Sequence, residues 1–330
     1  MTQQLQLELP VNTQAKLPAI TAILALCIAL VSIASAAIFI KLGEREISPY
    51  ATAFNRFWIT TLALTLWNGF KSITAPSELE ESLEPNPYNG VVIGQLFLVG
   101  LFLSADLVLW AWSLTQTSVA NATLFANLTP VFTCLIAWLV WGRRFERQFL
   151  IGMVIAIAGI CAIGLGDFHL APGKVQGDIA ALLAAVSFSI YLLLLERLQL
   201  RLKNSAICFW SSGIATLVCL PIVLIDQNPV FPSSWQGWLT VICLSVVCQI
   251  IGQGLLIHSL NHLSAEFVAL FLLLEPVLAA LGAWAFFSEN LSLFNLAAFG
   301  IVITGIYLAL SSSASCLSHG EKPQGCDSHS

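Results

Sequence analysis

The sequence predicts an all-α membrane protein in which ten transmembrane helices form two inverted five-helix repeats. Three observations predict this fold: long apolar runs joined by short polar links, few charged residues, and an internal repeat. Of the 330 residues, 58% are hydrophobic and 9% are charged, whereas soluble domains are about 45–50% apolar and about 25% charged. One water-soluble core cannot bury this much apolar surface, so we expect a lipid bilayer around most of the chain.

The apolar runs predict helices, because only helices and closed barrels satisfy their backbone groups in lipid and these runs are long and continuous. A crossing needs about 20 mostly apolar residues. The ten predicted spans are 19–41, 48–68, 91–112, 118–139, 148–166, 177–197, 205–225, 235–258, 264–287 and 292–311. They give a first repeat over 19–166 and a second over 177–311, with tails at 1–18 and 312–330. The polar insert at 71–88 is not predicted to be a domain.

The basic residues of the links predict the orientation of the spans, because cytoplasmic loops retain Lys and Arg. With the N-terminus inside, nine basic residues face the cytoplasm and three, Lys41, Arg45 and Lys174, face outside. We therefore expect both termini in the cytoplasm and a location in the plasma (inner) membrane. The nine inner residues are Lys16, Lys71, Arg143, Arg144, Arg147, Arg197, Arg201, Lys203 and Lys322.

The first predicted span also has features of a secretory signal, since Ala34-Ser35-Ala36 is similar to a small-residue cleavage site. The apolar run continues beyond this motif to Ile40, and the preceding tail carries Glu8 as well as Lys16. An uncleaved span is therefore the favoured interpretation, and cleavage is the alternative.

The chain resembles itself at a shift of 146 residues, which pairs predicted spans three to five with spans eight to ten. Because each repeat contains an odd number of spans, the second must enter the membrane from the opposite side. Inverted halves predict a pathway between them near the bilayer midplane. The matching segments are Ser118 with Ser264, Leu128-Thr129-Pro130-Val131 with Leu274-Glu275-Pro276-Val277, and Gly159-Ile160 with Gly305-Ile306.

These paired motifs resemble the drug/metabolite transporter superfamily, in its EamA-domain branch, over nearly the whole chain. Each half has a central Pro-Val and a small-residue span ending in Gly-Ile. The second copy, with Glu275-Pro276-Val277 and then Ser288-Glu289-Asn290-Leu291, is close to the family pattern. The first copy departs from it, with Thr129 before the proline and Gly142-Arg143-Arg144 where the family more often has Gly-Glu.

The resemblance implies a secondary active carrier that works by alternating access without a cofactor, commonly an exporter of amino acids or similar metabolites. The implied partner is a small-molecule substrate, and a homodimer stays open. A passive facilitator or channel is one alternative. An intramembrane enzyme is another, for which His258, His262 and Glu266 form the only cluster of suitable side chains.

Charged side chains within the spans are functional candidates, because each costs about 2.5 kcal/mol or more near the bilayer centre. Arg56 lies eight residues into the second span and Asp106 six residues before the end of the third. These positions correspond to depths of ~12 Å and ~9 Å from the outer surface. The similar depths predict an Arg56–Asp106 ion pair, for which a structural clamp and a substrate role are both open.

Glu275 lies eleven residues into the ninth span, ~16 Å from the inner surface, with no basic residue at its predicted depth. An unpaired carboxylate there is either protonated or in a wet cavity, which suits a group that carries a proton or binds a cation. A protonated Glu275 hydrogen-bonded to a neighbouring helix is the alternative.

Pro130 and Pro276 occupy corresponding positions in the two halves. Each removes a backbone donor and so frees a carbonyl, of Ala126 or Leu272, and bends its span. Interrupted segments at matching positions indicate the binding site of a transporter. Polar residues predicted to line the substrate or proton pathway there are Asn127, Thr129, Tyr191, Gln249 and Gln253, with interhelical hydrogen bonding as their alternative role.

Several enzyme and nucleotide motifs are absent from the sequence. It has no P-loop, no His-Glu-x-x-His, no Gly-x-Ser-x-Gly and no dinucleotide glycine fingerprint. We therefore expect no catalytic residues, no cofactor and no ATP-driven transport. Cys316, His319, Cys326 and His329 match no standard zinc spacing, so no metal site is expected. The net charge of −5 and the lack of a basic stripe exclude nucleic acid as an expected partner.

Overall fold

The structure is a computed structural model that describes residues 16–43, 46–74, 88–165, 175–287 and 293–311, and within these ranges it contains helices and no strand. The first half comprises α1 (Lys16–Gly43), α2 (Pro49–Thr74), α3 (Gly90–Gln116), α4 (Val119–Ala126), α5 (Thr129–Trp141) and α6 (Arg147–Leu165). The second half comprises α7 (Val175–Leu198), α8 (Asn204–Ile225), α9 (Trp235–Cys243), a π-helix (Leu244–Gln253), α10 (Gly254–Ser259), α11 (Ala265–Phe271), a 3-10 turn (Leu272–Leu274), α12 (Glu275–Phe287) and α13 (Leu293–Leu310).

Some predicted features lie outside the described residues. They are most of both tails, most of the polar insert, the outer basic residues Arg45 and Lys174, the motif at 288–291 in the second repeat, and the four tail residues Cys316, His319, Cys326 and His329.

Six helical segments of the described chain are long and apolar enough to cross a membrane. Three shorter apolar helices, at 21–36, 147–162 and 294–310, accompany them. The chain is therefore a multi-pass integral membrane protein, and it is all-helical in the part that the structure describes. The six segments are Gly90–Gln116, Asn121–Trp141, Val175–Leu198, Asn204–Ile225, Trp235–Ser259 and Ala265–Gly282.

The fourth and ninth predicted spans are both interrupted, and the breaks lie beside Pro130 and Pro276. In the first half, α4 ends at Ala126 and α5 begins at Thr129, so Pro130 falls in the first turn of α5. In the second half a 3-10 turn separates α11 from α12, and Pro276 is the second residue of α12. A proline is tolerated in a first turn because its missing N–H would have no helical partner there.

Both interrupted spans also begin in the same way. The Ser118 side chain accepts a hydrogen bond from the backbone N–H of Asn121, and the Ser264 side chain accepts one from that of Phe267. A serine at this position supplies an acceptor to an otherwise unpaired helical donor. The two residues that the internal repeat aligns therefore have the same structural role.

The packing of the helices keeps its pattern when the two halves are exchanged. Helix α1 packs on the π-helix and α10, and its counterpart α7 packs on α3. Helix α5 packs on α7, and its counterpart α12 packs on α1. Two further pairs join corresponding helices directly, α2 with α8 and α6 with α13. This exchange is expected of two equivalent repeats.

The α6–α13 contact depends on glycine. A Cβ atom at Gly305 would lie 2.4 Å from the backbone nitrogen of Ala156 and 2.6 Å from the carbonyl oxygen of Gly152. Backbone atoms cannot move aside as a flexible side chain can, so the two helices approach this closely only without a Cβ. Gly300 lies exposed on the same helix, and a Cβ there would meet nothing within 4 Å.

We predict that Gly305→Ala lowers the free energy of unfolding by about 1–3 kcal/mol, because the added methyl group overlaps the backbone of α6. Gly300→Ala is the matched control and should not destabilise the protein, since alanine is the better helix former. Thermal unfolding of both variants in detergent makes the comparison. Equal unfolding temperatures for the two variants would contradict the close contact.

Candidate functional site

Three charged residues from different helices form one group inside the bundle. Arg56 is in α2, Asp106 is in α3, and Glu275 is the first residue of α12. Arg56 acts electrostatically on both carboxylates, and Glu275 acts on Asp106. We call Arg56, Asp106 and Glu275 the central charge cluster. The structure thus brings together the three intramembrane charges that the sequence analysis singled out.

The nearest partner of Arg56 is a glutamine. Its Nε donates a hydrogen bond to Oε1 of Gln249 at 2.8 Å, and Gln249 is 1% exposed. Among the ion pairs within 4.0 Å formed by the described residues, none joins Arg56 to Asp106. The two residues interact through space here, and their direct ion pair stays a prediction.

The surroundings of Glu275 differ from the expectation that no basic residue shares its depth. Arg56 is close enough to act on its carboxylate. The predicted depths counted residues from the end of each span, as if every span were straight and perpendicular to the membrane. Helix α2 has 26 residues and the span of Glu275 is broken, so such a count does not give relative positions.

The central charge cluster is enclosed but not sealed. Protein atoms surround the carboxylates of Asp106 and Glu275, yet both residues, like Arg56, keep part of their accessible surface. Charged residues within a bundle are tolerated where they face its interior or a water-filled cavity. We therefore expect the accessible surface of these residues to face the interior of the bundle.

The π-helix carries two of the predicted pathway residues. Gln249 accepts the hydrogen bond from Arg56, and Oε1 of Gln253 accepts one from the hydroxyl of the fully buried Tyr191 at 3.3 Å. A Cβ at Gly252 would lie 2.9 Å from a side-chain carbon of Ile33, so glycine lets α1 approach. π-Helical segments are rare in proteins, but those that occur are often found at functional sites. No pattern in residues 244–253 of the sequence indicates this π-helix, and it was not predicted.

The polar residues of the first break bond to nearby backbone groups. Asn127 donates from Nδ2 to the Thr123 carbonyl at 2.8 Å, and Thr129 donates from Oγ1 to the freed carbonyl of Ala126 at 2.8 Å. The Thr129 carbonyl accepts a hydrogen bond from the Ser189 hydroxyl of α7 at 3.0 Å. These contacts favour a structural role for Asn127 and Thr129, whereas the second break places Glu275 in the central charge cluster.

Two residues that the sequence did not predict as functional connect α2 and the link before it to the link between α8 and α9. Asn55 is fully buried; its Nδ2 donates to the Val230 carbonyl at 2.6 Å, and its Oδ1 accepts from Trp58 Nε1 at 2.8 Å. Glu46, in the link before α2, accepts hydrogen bonds from the side chain and backbone of Ser234, which precedes α9, and these hold the pKa of its carboxyl below the ordinary value. The sequence did contain a signal for Asn55, since a side-chain amide within an apolar span indicates a buried hydrogen bond.

The EamA-like transporter family matches this chain twice, at residues 20–165 and 175–311. The chain belongs to the EamA-like transporter family. One match falls in each half, so the family repeat coincides with the repeat seen in the packing. The EamA-like family is a family of transporters, and curated relatives of this chain are named as transporters, which confirms that the chain is not an enzyme. In the described structure, Glu266 of the enzyme alternative is bound by Arg143.

Curated relatives of this EamA-like chain are named as transporters. An uncharacterized transporter of Archaeoglobus fulgidus is 26% identical over 280 residues, covering 82% of this chain and 91% of the relative. The pseudopaline exporter CntI of Pseudomonas aeruginosa is 26% identical over 219 residues, covering 66% and 75%. The S-adenosylmethionine uptake transporter of Rickettsia prowazekii is 24% identical over 198 residues, covering 58% and 63%.

A solved crystal structure shares the fold of this EamA-like chain. The two superpose with a TM-score of 0.68 at 20% sequence identity, and the alignment covers 88% of this chain and 99% of the other. At this identity the likeness shows the fold alone.

We predict that Gln249→Leu destabilises the protein by about 1.5–3 kcal/mol, because the buried hydrogen bond to the charged guanidinium of Arg56 is lost. Gln236→Leu is the matched control, since Gln236 is exposed on α9 in the same predicted span. Thermal unfolding in detergent compares them. If Gln249→Leu unfolds at the same temperature as Gln236→Leu, the Arg56–Gln249 hydrogen bond does not stabilise the fold.

Proposed function

We propose that this EamA-like chain is a secondary active exporter of a small zwitterionic metabolite such as an amino acid, driven by protons and working by alternating access. The observation that carries the proposal is the central charge cluster: one guanidinium acts on two carboxylates that protein atoms surround, and all three residues keep part of their accessible surface. Such a cluster offers a positive and a negative group to a zwitterionic ligand, which carries one charge of each sign.

Each member of the central charge cluster has a role in this proposal. The guanidinium of Arg56 binds the substrate carboxylate, since charge-assisted hydrogen bonds between these groups are strong. Asp106 binds the substrate ammonium group. Glu275 carries the coupled proton, since ionisable residues within membrane-spanning segments commonly form proton pathways. Tyr191, Gln249 and Gln253 hold the site in shape through the hydrogen bonds described above.

The relatives support transport of small molecules and leave the direction to experiment. The pseudopaline exporter of P. aeruginosa agrees with export, and the S-adenosylmethionine uptake transporter of R. prowazekii is named for the opposite direction. We propose export because resemblance to the EamA-domain branch commonly implies an exporter.

For the architecture we propose ten transmembrane spans in two inverted repeats, over 19–166 and 177–311, between cytoplasmic tails in the plasma (inner) membrane. Two observations support this arrangement: corresponding helices of the two halves make corresponding contacts, and the family matches the chain once in each half. An odd number of spans in each repeat then requires opposite orientations of the halves.

We predict that wild-type protein in proteoliposomes accumulates a member of a labelled amino-acid pool only when a pH gradient is imposed. Glu275→Gln should lose this accumulation, because its amide cannot bind and release a proton at ordinary pH. Asp226→Asn is the control, since Asp226 follows α8 outside the cluster and accepts a hydrogen bond from Asn228.

The uptake experiment separates the proposal from its alternatives. Unchanged gradient-driven accumulation by Glu275→Gln would remove Glu275 from proton coupling. Flux of the wild type without accumulation would indicate a passive facilitator. An absence of flux for every amino acid in the pool would contradict the proposed substrate class.

We predict that a cysteine at Arg144, in the link between α5 and α6, reacts with a membrane-impermeant maleimide from the cytoplasmic face only. A cysteine at Asn228, in the link between α8 and α9, should react from the outer face only. Both positions are exposed, and Cys316 and Cys326 are replaced by serine to remove tail labelling. Reaction of the two positions from the same face would contradict the ten-span arrangement, and reversed faces would contradict the cytoplasmic termini.

A further inference from the structure

A second group of charges, separate from the central charge cluster, joins the two halves at one end of the bundle. Nη1 of Arg143 lies 3.0 Å from Oε2 of Glu196 and 2.8 Å from Oε1 of Glu266, and its Nη2 lies 3.1 Å from Oε1 of Glu196. Arg143 follows α5, Glu196 is in the last turn of α7, and Glu266 is in the first turn of α11. We call these three residues the clamp.

The local backbone directs Arg143 towards the second half. Gly142 ends α5 in the left-handed conformation, with φ of 63°, which glycine adopts without steric cost. The chain leaves α5 at this residue before α6 begins at Arg147. Glycine at this C-terminal position is common where a helix ends and the chain changes direction.

Burial makes the two carboxylates dependent on Arg143. Glu196 and Glu266 are 1% and 2% exposed, whereas Arg143 is 29% exposed. Desolvation acts to lower the pKa of Arg143, but the two carboxylates outweigh it and the pKa lies above its ordinary value. The guanidinium therefore stays charged. Buried carboxylates are tolerated when a partner of opposite charge is held against them.

The clamp lies where the two interrupted spans converge. Helix α5 of the first interrupted span packs against α11 of the second at this end. At the opposite end of the same two spans, the described parts of α4 and α12 make no comparable packing. The interrupted spans are thus in contact at the clamp and separate away from it.

We propose that the clamp is a gate of the transport cycle, which holds the interrupted spans together and closes the pathway at this end of the bundle. Alternating access requires this end to open in another state, and Arg143 must then leave at least one of its carboxylates. The inference rests on the proposed transport function, but its test below requires no substrate and no knowledge of the orientation.

A native cysteine reports whether the spans part. Cys134 in α5 is 6% exposed, within electrostatic range of Glu266, and seven residues, ~10 Å, from the end of the helix. Cys219 in α8 is 1% exposed and serves as the internal reference for unfolding, since the clamp does not include α8. Both thiols are reacted with N-ethylmaleimide in lipid nanodiscs, and labelled peptides are quantified by mass spectrometry.

We expect the double variant Glu196→Gln/Glu266→Gln to raise the labelling rate of Cys134 at least about tenfold while that of Cys219 stays unchanged, because loss of the charge pairs shifts the population towards the state open at this end. Arg144→Gln is the matched control: Arg144 is the adjacent, exposed arginine outside the clamp. It should leave both rates as in the wild type. An unchanged Cys134 rate in the double variant would overturn the proposal.

If both Cys134 and Cys219 react faster in the double variant, that variant has lost its fold. A pair of charge-reversal variants then tests the proposal. Arg143→Glu should expose Cys134 by repulsion of three carboxylates, and Arg143→Glu/Glu266→Arg should restore its protection. Failure of the restored pair to protect Cys134 would overturn the proposal. If Cys134 labelling changes as expected but the wild type transports no amino acid, the clamp is supported as a gate and the proposed substrate class is refuted.

Discussion

A charged side chain within a membrane-embedded bundle has to be partnered or hydrated, and the packing of this protein depends on how it meets that constraint. The structure has two solutions. The clamp buries two carboxylates almost completely against one guanidinium, whereas the central charge cluster keeps part of each charged side chain accessible. A sealed group stabilises one arrangement of the helices, and an accessible group remains available to a ligand or a proton.

The two interrupted spans connect these charged groups to the backbone. A break in a helix frees carbonyl groups that lipid cannot satisfy, and here each is satisfied locally. The Thr129 hydroxyl donates to the Ala126 carbonyl, and the backbone N–H of Glu275 donates to the Leu272 carbonyl. The breaks are therefore stable features, which hold Glu275 at the start of a new helix and within electrostatic range of Arg56.

The sequence predicted the features that depend on local pattern: the apolar helices, the repeat, the two prolines and the three central charges. It did not predict pairings over long separations. Arg56 and Gln249 are 193 residues apart, and Arg143 is 123 residues from Glu266. Periodicity and helix depth do not determine which side chains meet, because helix tilt and the two breaks shift their positions. The π-helix was missed for a similar reason, since tertiary packing rather than composition distinguishes it from an α-helix.

One interrupted span carries a member of each charged group. Glu266 of the clamp and Glu275 of the central charge cluster lie on either side of the 3-10 turn at Leu272–Leu274. Short segments at the ends of elements can absorb the backbone rotations of a domain movement. If α11 moves away from Arg143 while α12 stays packed on α1, this turn is where the change has to occur. In the proposed cycle, protonation of Glu275 weakens its attraction to Arg56 and so alters the forces on the same span. The two proposals, proton binding at Glu275 and opening of the clamp, are thereby linked through one interrupted span.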